Sequence, residues 1–234
     1  MGKPGTSETR KKIGTLLETP NFYHYLSAAD NLAITHAISG RGSKEEIDTV
    51  LGKVGLLERK RSKFSSYSLG MKQRLAIGAA LLGNPQVLVL DEPTNGLDPV
   101  GIAEIRELIK DLAKEGKTII MASHLLDEVE KVCTHVAILK KGNLLTTGPV
   151  DEVMVNEDIV EVSSEDTGAL LSTLRMIDGS LSIKEDKGVV HMIFPLGLAD
   201  LSAINRHCFD NGVVLNHLRL KRKSLETKFF ELTN

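Results

Sequence analysis

The sequence predicts an α/β protein with a smaller α+β unit towards its C-terminus, and three patterns carry that reading. An unbroken apolar run, VLVL at 87–90, is of the kind found in central parallel strands. Strand and helix patterns alternate through the first 150 or so residues, as in a largely parallel sheet. Beyond Asp151 the texture changes to the order β-α-β-β-α-β, which is ferredoxin-like.

Taken in order, KIGTLL (12–17) reads as a short strand and ETPNFYHYLS as the loop after it. Asp30 to Ser39 reads as a helix. After the glycine-rich break SGRGS, the segment KEEIDTVLGKVG places Ile47, Val50, Leu51 and Val54 at helical spacing. Ser43 is the expected N-cap of that helix, with Glu46 as its capping-box partner. The next helix, MKQRLAIGAALLG (71–83), ends in a stretch that is small or apolar nearly all round and is expected to be buried. NPQ breaks it ahead of VLVL. A helix from about Val100 to Lys114 carries Ile102, Ile105, Leu108, Ile109 and Leu112 on one side. The strand TIIMAS, a helix through LLDEVEKV, the strand HVAILKK and a turn at Gly142 follow. In the second region the elements are IVEVSS, a helix near 167–177, SLSIKED, VVHMIFPL, a helix near 199–210 and VVLNHLRL; SLETKFFELT reads as a closing helix. The boundary is expected between Pro149 and about Asp158, giving domains 1–150 and 151–234.

Composition narrows the function classes. Hydrophobic residues make up 41% and charged residues 26%, enough apolar material for a core. A formal charge of −2 supplies no field that would gather nucleic acid, and the runs RKRSK and RLKRK read as solvated surface. Cys133 and Cys208 lack metal-ligand spacing and read as reduced thiols. No stretch reaches the roughly 20 apolar residues of a spanning helix, so any membrane role is expected to be peripheral.

Three groups of residues carry chemistry. VLVLDEPTNGLD (87–98) ends a buried strand on two adjacent carboxylates, where open α/β sheets bind their ligands. Asp91 there can serve a hard cation through oxygen, and Glu92 can orient or activate a water for attack on a phosphoryl group. In YSLGMKQRL, Ser68 and Gly70 lie just before a helix whose free N–H groups and dipole favour an anion. His124 follows the strand TIIMAS, 32 positions beyond Glu92, and falls at the end of the strand next in sequence.

Together these segments resemble the nucleotide-binding domain of ABC transporters over nearly the whole chain. YSLGM stands where that family has its LSGGQ signature, VLVLDE matches the Walker B strand, NGLD the D-loop and ASH the switch-histidine loop. KIGTLLETPNFY resembles the Q-loop segment, with Glu18 where many members have glutamine. Glu18, Leu69 in the signature and the ending SLETKFFELT are similar to the bacitracin-resistance and ABC-2 exporter branch. The resemblance implies a RecA-like P-loop NTPase core of ABC type with a helical signature subdomain, and ATP and Mg²⁺ as cofactors. It implies Asp91 in the Mg²⁺ shell, Glu92 as general base and His124 at the γ-phosphate. Ser68 and Gly70 would bind a nucleotide held by the opposite subunit, Asp98 would lie at the dimer interface, and Glu18 would sense Mg²⁺ and transmit movement to the membrane subunit. A separate membrane-spanning permease and a second ATP-binding subunit, identical or different, are the implied partners, with no nucleic acid. The implied location is cytoplasmic, peripheral on the inner face of the cell membrane. The loop at 21–25 is expected to form a groove for a coupling helix of the permease.

One part of the family pattern is not found. Gly116-Lys117-Thr118 spells the end of G-x-x-x-x-G-K-[ST], but Asp111 occupies the first glycine position. A helix precedes this GKT and a strand follows it, the reverse of a phosphate loop, and Gly116 reads as a helix stop. Only 17 residues precede Glu18, whereas a strand–loop–helix–strand unit takes roughly 30. The sequence therefore reads as N-terminally truncated, a poor ATPase by itself and marginally folded. Two function classes follow: part of an ATP-hydrolysing exporter subunit, or a non-catalytic half that donates its signature motif to a partner ATPase. A chromosome-maintenance ATPase would be expected to carry coiled-coil heptads or a basic DNA surface, and the sequence has neither.

Overall fold

A computed structural model describes residues 6–18, 21–153 and 157–222, together with 225 and 229. The closing helix expected over SLETKFFELT lies outside the described residues, apart from 225 and 229. The chain divides into two compact units, Met1–Glu128 and Val129–Asn234.

In the first unit a short helix α1 (Ser7–Lys11) leads into β1 (Ile13–Leu16), followed by helices α2 (Ala28–Ser39), α3 (Glu46–Lys53) and α4 (Leu69–Leu81). Strand β2 (Val87–Asp91), helix α5 (Pro99–Lys114), strand β3 (Thr118–Ala122) and helix α6 (Leu126–Val132), which runs across the unit boundary, come next. The three strands form a parallel sheet in the order β1-β2-β3, so the VLVL run is central as its apolar continuity predicts. On one face Leu16, Leu88 and Leu90 are buried, and α4 lies against β1. That contact demands Gly14: a Cβ there would sit 2.1 Å from the Ala80 carbonyl oxygen. Arg41 ties the same edge together by donating to the carbonyls of Ile13 (2.8 Å) and Ala79 (3.2 Å). The other face is open, with Val89 36% and Ile120 58% exposed.

Helices α2, α3 and α4 pack on one another around Leu32, Leu51, Leu75 and Ile77. α2 begins with a complete capping box between Ser27 and Asp30. The box expected at Ser43 and Glu46 does not form: α3 starts after Glu45 with no side-chain cap. The Ser43 hydroxyl bonds the Glu45 carboxylate and holds its pKa low, while Glu46 Oε2 accepts the N–H of Gly83 at 3.1 Å. Gly83 lies past the end of α4 in the left-handed region (φ +76°), where its N–H has left the helical ladder, and a distant carboxylate meets that need.

The second unit opens with an antiparallel hairpin, β4 (His135–Lys140) and β5 (Asn143–Pro149). Its two-residue turn, Lys141-Gly142, has positive φ at both positions, a geometry matched to the twist of the strands. After α7 (Val150–Val153) come β6 (Glu157–Ser164), α8 (Thr167–Leu174), β7 (Ser182–Asp186), β8 (Val189–Pro195), α9 (Leu201–Asp210) and β9 (Leu215–Arg222). The sheet order β7-β8-β6-β9, antiparallel throughout, is the ferredoxin-like arrangement. Alternate residues of its strands, including Val160, Val162, Val190 and Met192, meet Leu170, Leu174, Ile204 and Cys208 from the helices in a closed core.

Candidate functional site

The carboxyl ends of β1, β2 and β3 bring four of the sequence-predicted residues together. Asp91 is the last residue of β2 and is exposed. The next residue, Glu92, adopts φ +46°, a left-handed conformation uncommon for a residue with a Cβ. Several bonds hold it there. Its N–H donates to the Ala122 carbonyl (3.0 Å), its own carbonyl accepts the N–H of Asn95 (3.1 Å), and Gln73 Nε2 of α4 reaches the same carbonyl at 3.5 Å.

Parallel pairing explains the meeting of Glu92 with His124. Asp91 is in register with Ala122, so the residues just beyond each strand end lie side by side. His124 Nδ1 donates to Glu92 Oε2 at 2.8 Å, and the imidazole is 61% exposed. Beyond the histidine, the Leu125 N–H donates to Ser123 Oγ (3.1 Å). α6 is then fixed by a two-pronged pair in which Arg106 of α5 donates to both oxygens of the buried Glu128, each at 2.8 Å.

Glu18 follows β1 on the exposed side of the same strand ends. Its Oε1 accepts from Asn95 Nδ2 at 2.9 Å. Asn95 and Gln73 are the site residues that sequence reasoning missed. The NGLD and KQRL segments contain them, but nothing in their spacing shows that both reach Glu92.

Asp98 caps α5, its Oδ1 accepting from the Gly101 N–H at 2.8 Å with Pro99 in the first helical position. Ser68 caps α4 and accepts from the Met71 N–H (3.3 Å), which leaves its hydroxyl hydrogen to donate. Beyond its chain neighbours and its own helix backbone, no atom of the described residues lies within 4 Å of where a Cβ on Gly70 would be, so that position at the start of α4 is open. Among the described residues no hydrogen bond joins Ser68 or Gly70 to the Glu92 cluster. Leu69 between them packs within 3.2 Å of the Cβ position of Gly96.

The GKT segment is a helix stop, as its order in the sequence implies. Gly116 has φ +89°; its N–H donates to the Ala113 carbonyl and the Lys117 N–H to the Leu112 carbonyl, a Schellman closure of α5. Lys117 is buried, donating through Nζ to Asn84 Oδ1 (2.7 Å) and the Pro85 carbonyl (2.9 Å), and burial lowers its pKa. It is spent on the loop before β2.

The donors at the strand ends are carboxylate oxygens from Asp91, Glu92 and Glu18. Among the described residues no group of three or more His, Cys, Asp or Glu side chains forms a self-sufficient metal cage. A pair of oxygen donors suits Mg²⁺, which keeps waters and takes one or two carboxylates together with substrate phosphates.

A second concave feature lies beside α2. Asn31, 1% exposed, accepts from the Tyr23 N–H (2.8 Å) and donates to the carbonyls of Tyr23 and Ser27, which fixes the aromatic loop. Phe22 packs edge-on against Phe64. The groove beside it, about 480 Å³, is lined by Phe22, Tyr23, Ile34 and Ile38 among others. No helix among the described residues is long and apolar enough to cross a membrane.

Residues 2–95 match the profile of the family described as ABC transporter. The chain is 38% identical over 229 residues to the bacitracin transport ATP-binding protein BcrA of Bacillus licheniformis, covering 96% of this chain and 74% of that protein. It is 41% identical over 144 residues to the lantibiotic transport ATP-binding protein SrtF of Streptococcus pyogenes, 62% of each chain. Among solved structures it is similar to cbiO1 from Clostridium perfringens, part of the ABC transporter complex cbiONQ. That match has a TM-score of 0.56 and 33% identity over 62% of this chain; the chain spans 60% of the length of that structure.

Proposed function

The chain belongs to the ATP-binding subunits of ABC transporters, and from that premise we propose that it serves an exporter, coupling ATP hydrolysis to transport through a separate permease. The observation that carries this reading is the 2.8 Å bond between His124 and Glu92 at the carboxyl ends of three parallel strands. Glu92 is the general base: its carboxylate, carried on a residue held in a left-handed turn, takes a proton from the attacking water. His124 orients that carboxylate from one side through Nδ1–H and, when doubly protonated, donates its Nε2–H to the transferred phosphoryl group. Asp91 and Glu18 supply oxygens for Mg²⁺, which when bound neutralises phosphate charge. Ser68 and Gly70, at the open start of α4, supply a hydroxyl and main-chain N–H groups to a nucleotide on a second ATP-binding subunit. Asp98, capping α5 next to that turn, belongs to the same subunit interface.

The groove of Phe22, Tyr23, Ile34 and Ile38 takes a coupling helix of the permease, which holds the protein at the inner face of the membrane. The functional division falls near residue 150, with 1–150 as the ATPase portion and 151–234 as an accessory domain; the self-contained core of residues 157–222 supports it. The similarity to bacitracin and lantibiotic transport proteins points to a peptide antibiotic as the exported substrate.

A second reading has its own observation. Lys117 of the GKT is buried on Asn84 and the Pro85 carbonyl and is not turned to a phosphate. In that reading the chain lends Ser68 and Gly70 to a partner that holds the nucleotide. Phosphate release by the assembly with permease and second ATP-binding subunit separates the two. Under the first reading Glu92→Gln lowers turnover about 100-fold or more. If Glu92→Gln leaves turnover intact while Gly70→Asp abolishes it, the second reading holds. Intact turnover in both variants contradicts both.

A further inference from the structure

We infer that Asn95 is a positioning residue that ties Glu18 to the backbone of the general base, so that displacement of Glu18 loosens the turn holding Glu92. The inference rests on the assignment of Glu92 above. Its basis is that Asn95 alone among the described residues bonds both sides: its main-chain N–H goes to the Glu92 carbonyl (3.1 Å), and its side-chain amide to Glu18 Oε1 (2.9 Å).

The left-handed region is disfavoured for a residue with a Cβ, so Glu92 keeps that conformation only while neighbours hold it. Two of its restraints are fixed by the fold: the Ala122 carbonyl belongs to β3 and Gln73 to the buried side of α4. The Asn95 bond differs. Asn95 is exposed, and its side chain is anchored on another exposed residue 77 positions away. The chemistry of the pair is specific. A carboxylate accepts and a carboxamide donates, so the bond is charge-assisted. Serine would be too short to span the gap, and aspartate would set two carboxylates against each other. Glu18 stands at the head of the segment that leads to the aromatic groove. A change there reaches the turn of Glu92 through one side chain.

The experiment is amide hydrogen exchange on the full chain without nucleotide, read at Glu92 and Asn95, whose N–H groups make two of the three bonds that hold the turn. Asn95→Asp is expected to speed exchange at both about tenfold, the equivalent of one lost charge-assisted bond. Glu18→Gln alone is expected to change little, since its amide oxygen still accepts. Combining them restores a pair with reversed polarity, Gln donating to Asp, and exchange is expected to return to within about threefold of wild type. Leu88 and Leu90 in the strand centre are the control and stay protected throughout. If Asn95→Asp has the same effect with and without Glu18→Gln, or if Leu88 loses protection equally, the inference is overturned. Because the readout needs no hydrolysis, restoration of exchange alongside intact turnover in Glu92→Gln would leave the link standing and remove the catalytic reading.

Discussion

Lys117 sits in a GKT that spells part of a phosphate loop, yet its ammonium is buried on Asn84 and the Pro85 carbonyl. Lys117→Ala strips both acceptors of their partner and is expected to cost about 1–3 kcal/mol in a urea melt. Nucleotide affinity of the assembly is expected to stay unchanged; a fall in affinity with an unchanged melt would reverse the assignment. The segment order helix–GKT–strand already pointed this way. His124 and Glu92 were legible for a related reason: adjacent parallel strands of similar length end at the same level, so residues just past them meet. Asn95 and Gln73 were not legible. Their bonds depend on the left-handed turn at Glu92 and on side-chain directions that no periodicity records.

At the scale of elements, apolar pattern served well where burial decides structure. VLVL became the central strand and the helix at 69–81 was buried against β1, with Gly14 giving the room. Gly14→Ala places a methyl 2.1 Å from the Ala80 carbonyl oxygen, so α4 must shift off the strand. A loss of ~3 kcal/mol in unfolding free energy is expected from such overpacking; an unchanged denaturation midpoint would show that α4 packs elsewhere. Pattern failed at the start of α3, where Ser43 and Glu46 fit a capping box. Local spacing cannot show that the end of α4, some 37 positions on, leaves the Gly83 N–H in need of Glu46. Capping choices follow from which unpaired groups the tertiary fold brings near.

For the whole molecule, the two units satisfy their sheets differently. The ferredoxin-like sheet has helices on one face and a closed core, and its strand order followed from the element order alone. The parallel sheet of the first unit carries α4 on one face, while Val89 and Ile120 on the other remain open. Parallel sheets are ordinarily covered on both faces. The open strand ends and the open start of α4 both suit a protein that works against other chains. The central claim is that Glu92 and His124 act as one catalytic unit. A double-mutant cycle on ATP turnover by the assembly with permease and second ATP-binding subunit tests it. Glu92→Gln and His124→Ala are each expected to lower turnover about 100-fold or more, and the double variant to fall little further. Losses that multiply in the double variant, or a His124→Ala protein that turns over like wild type, would contradict it.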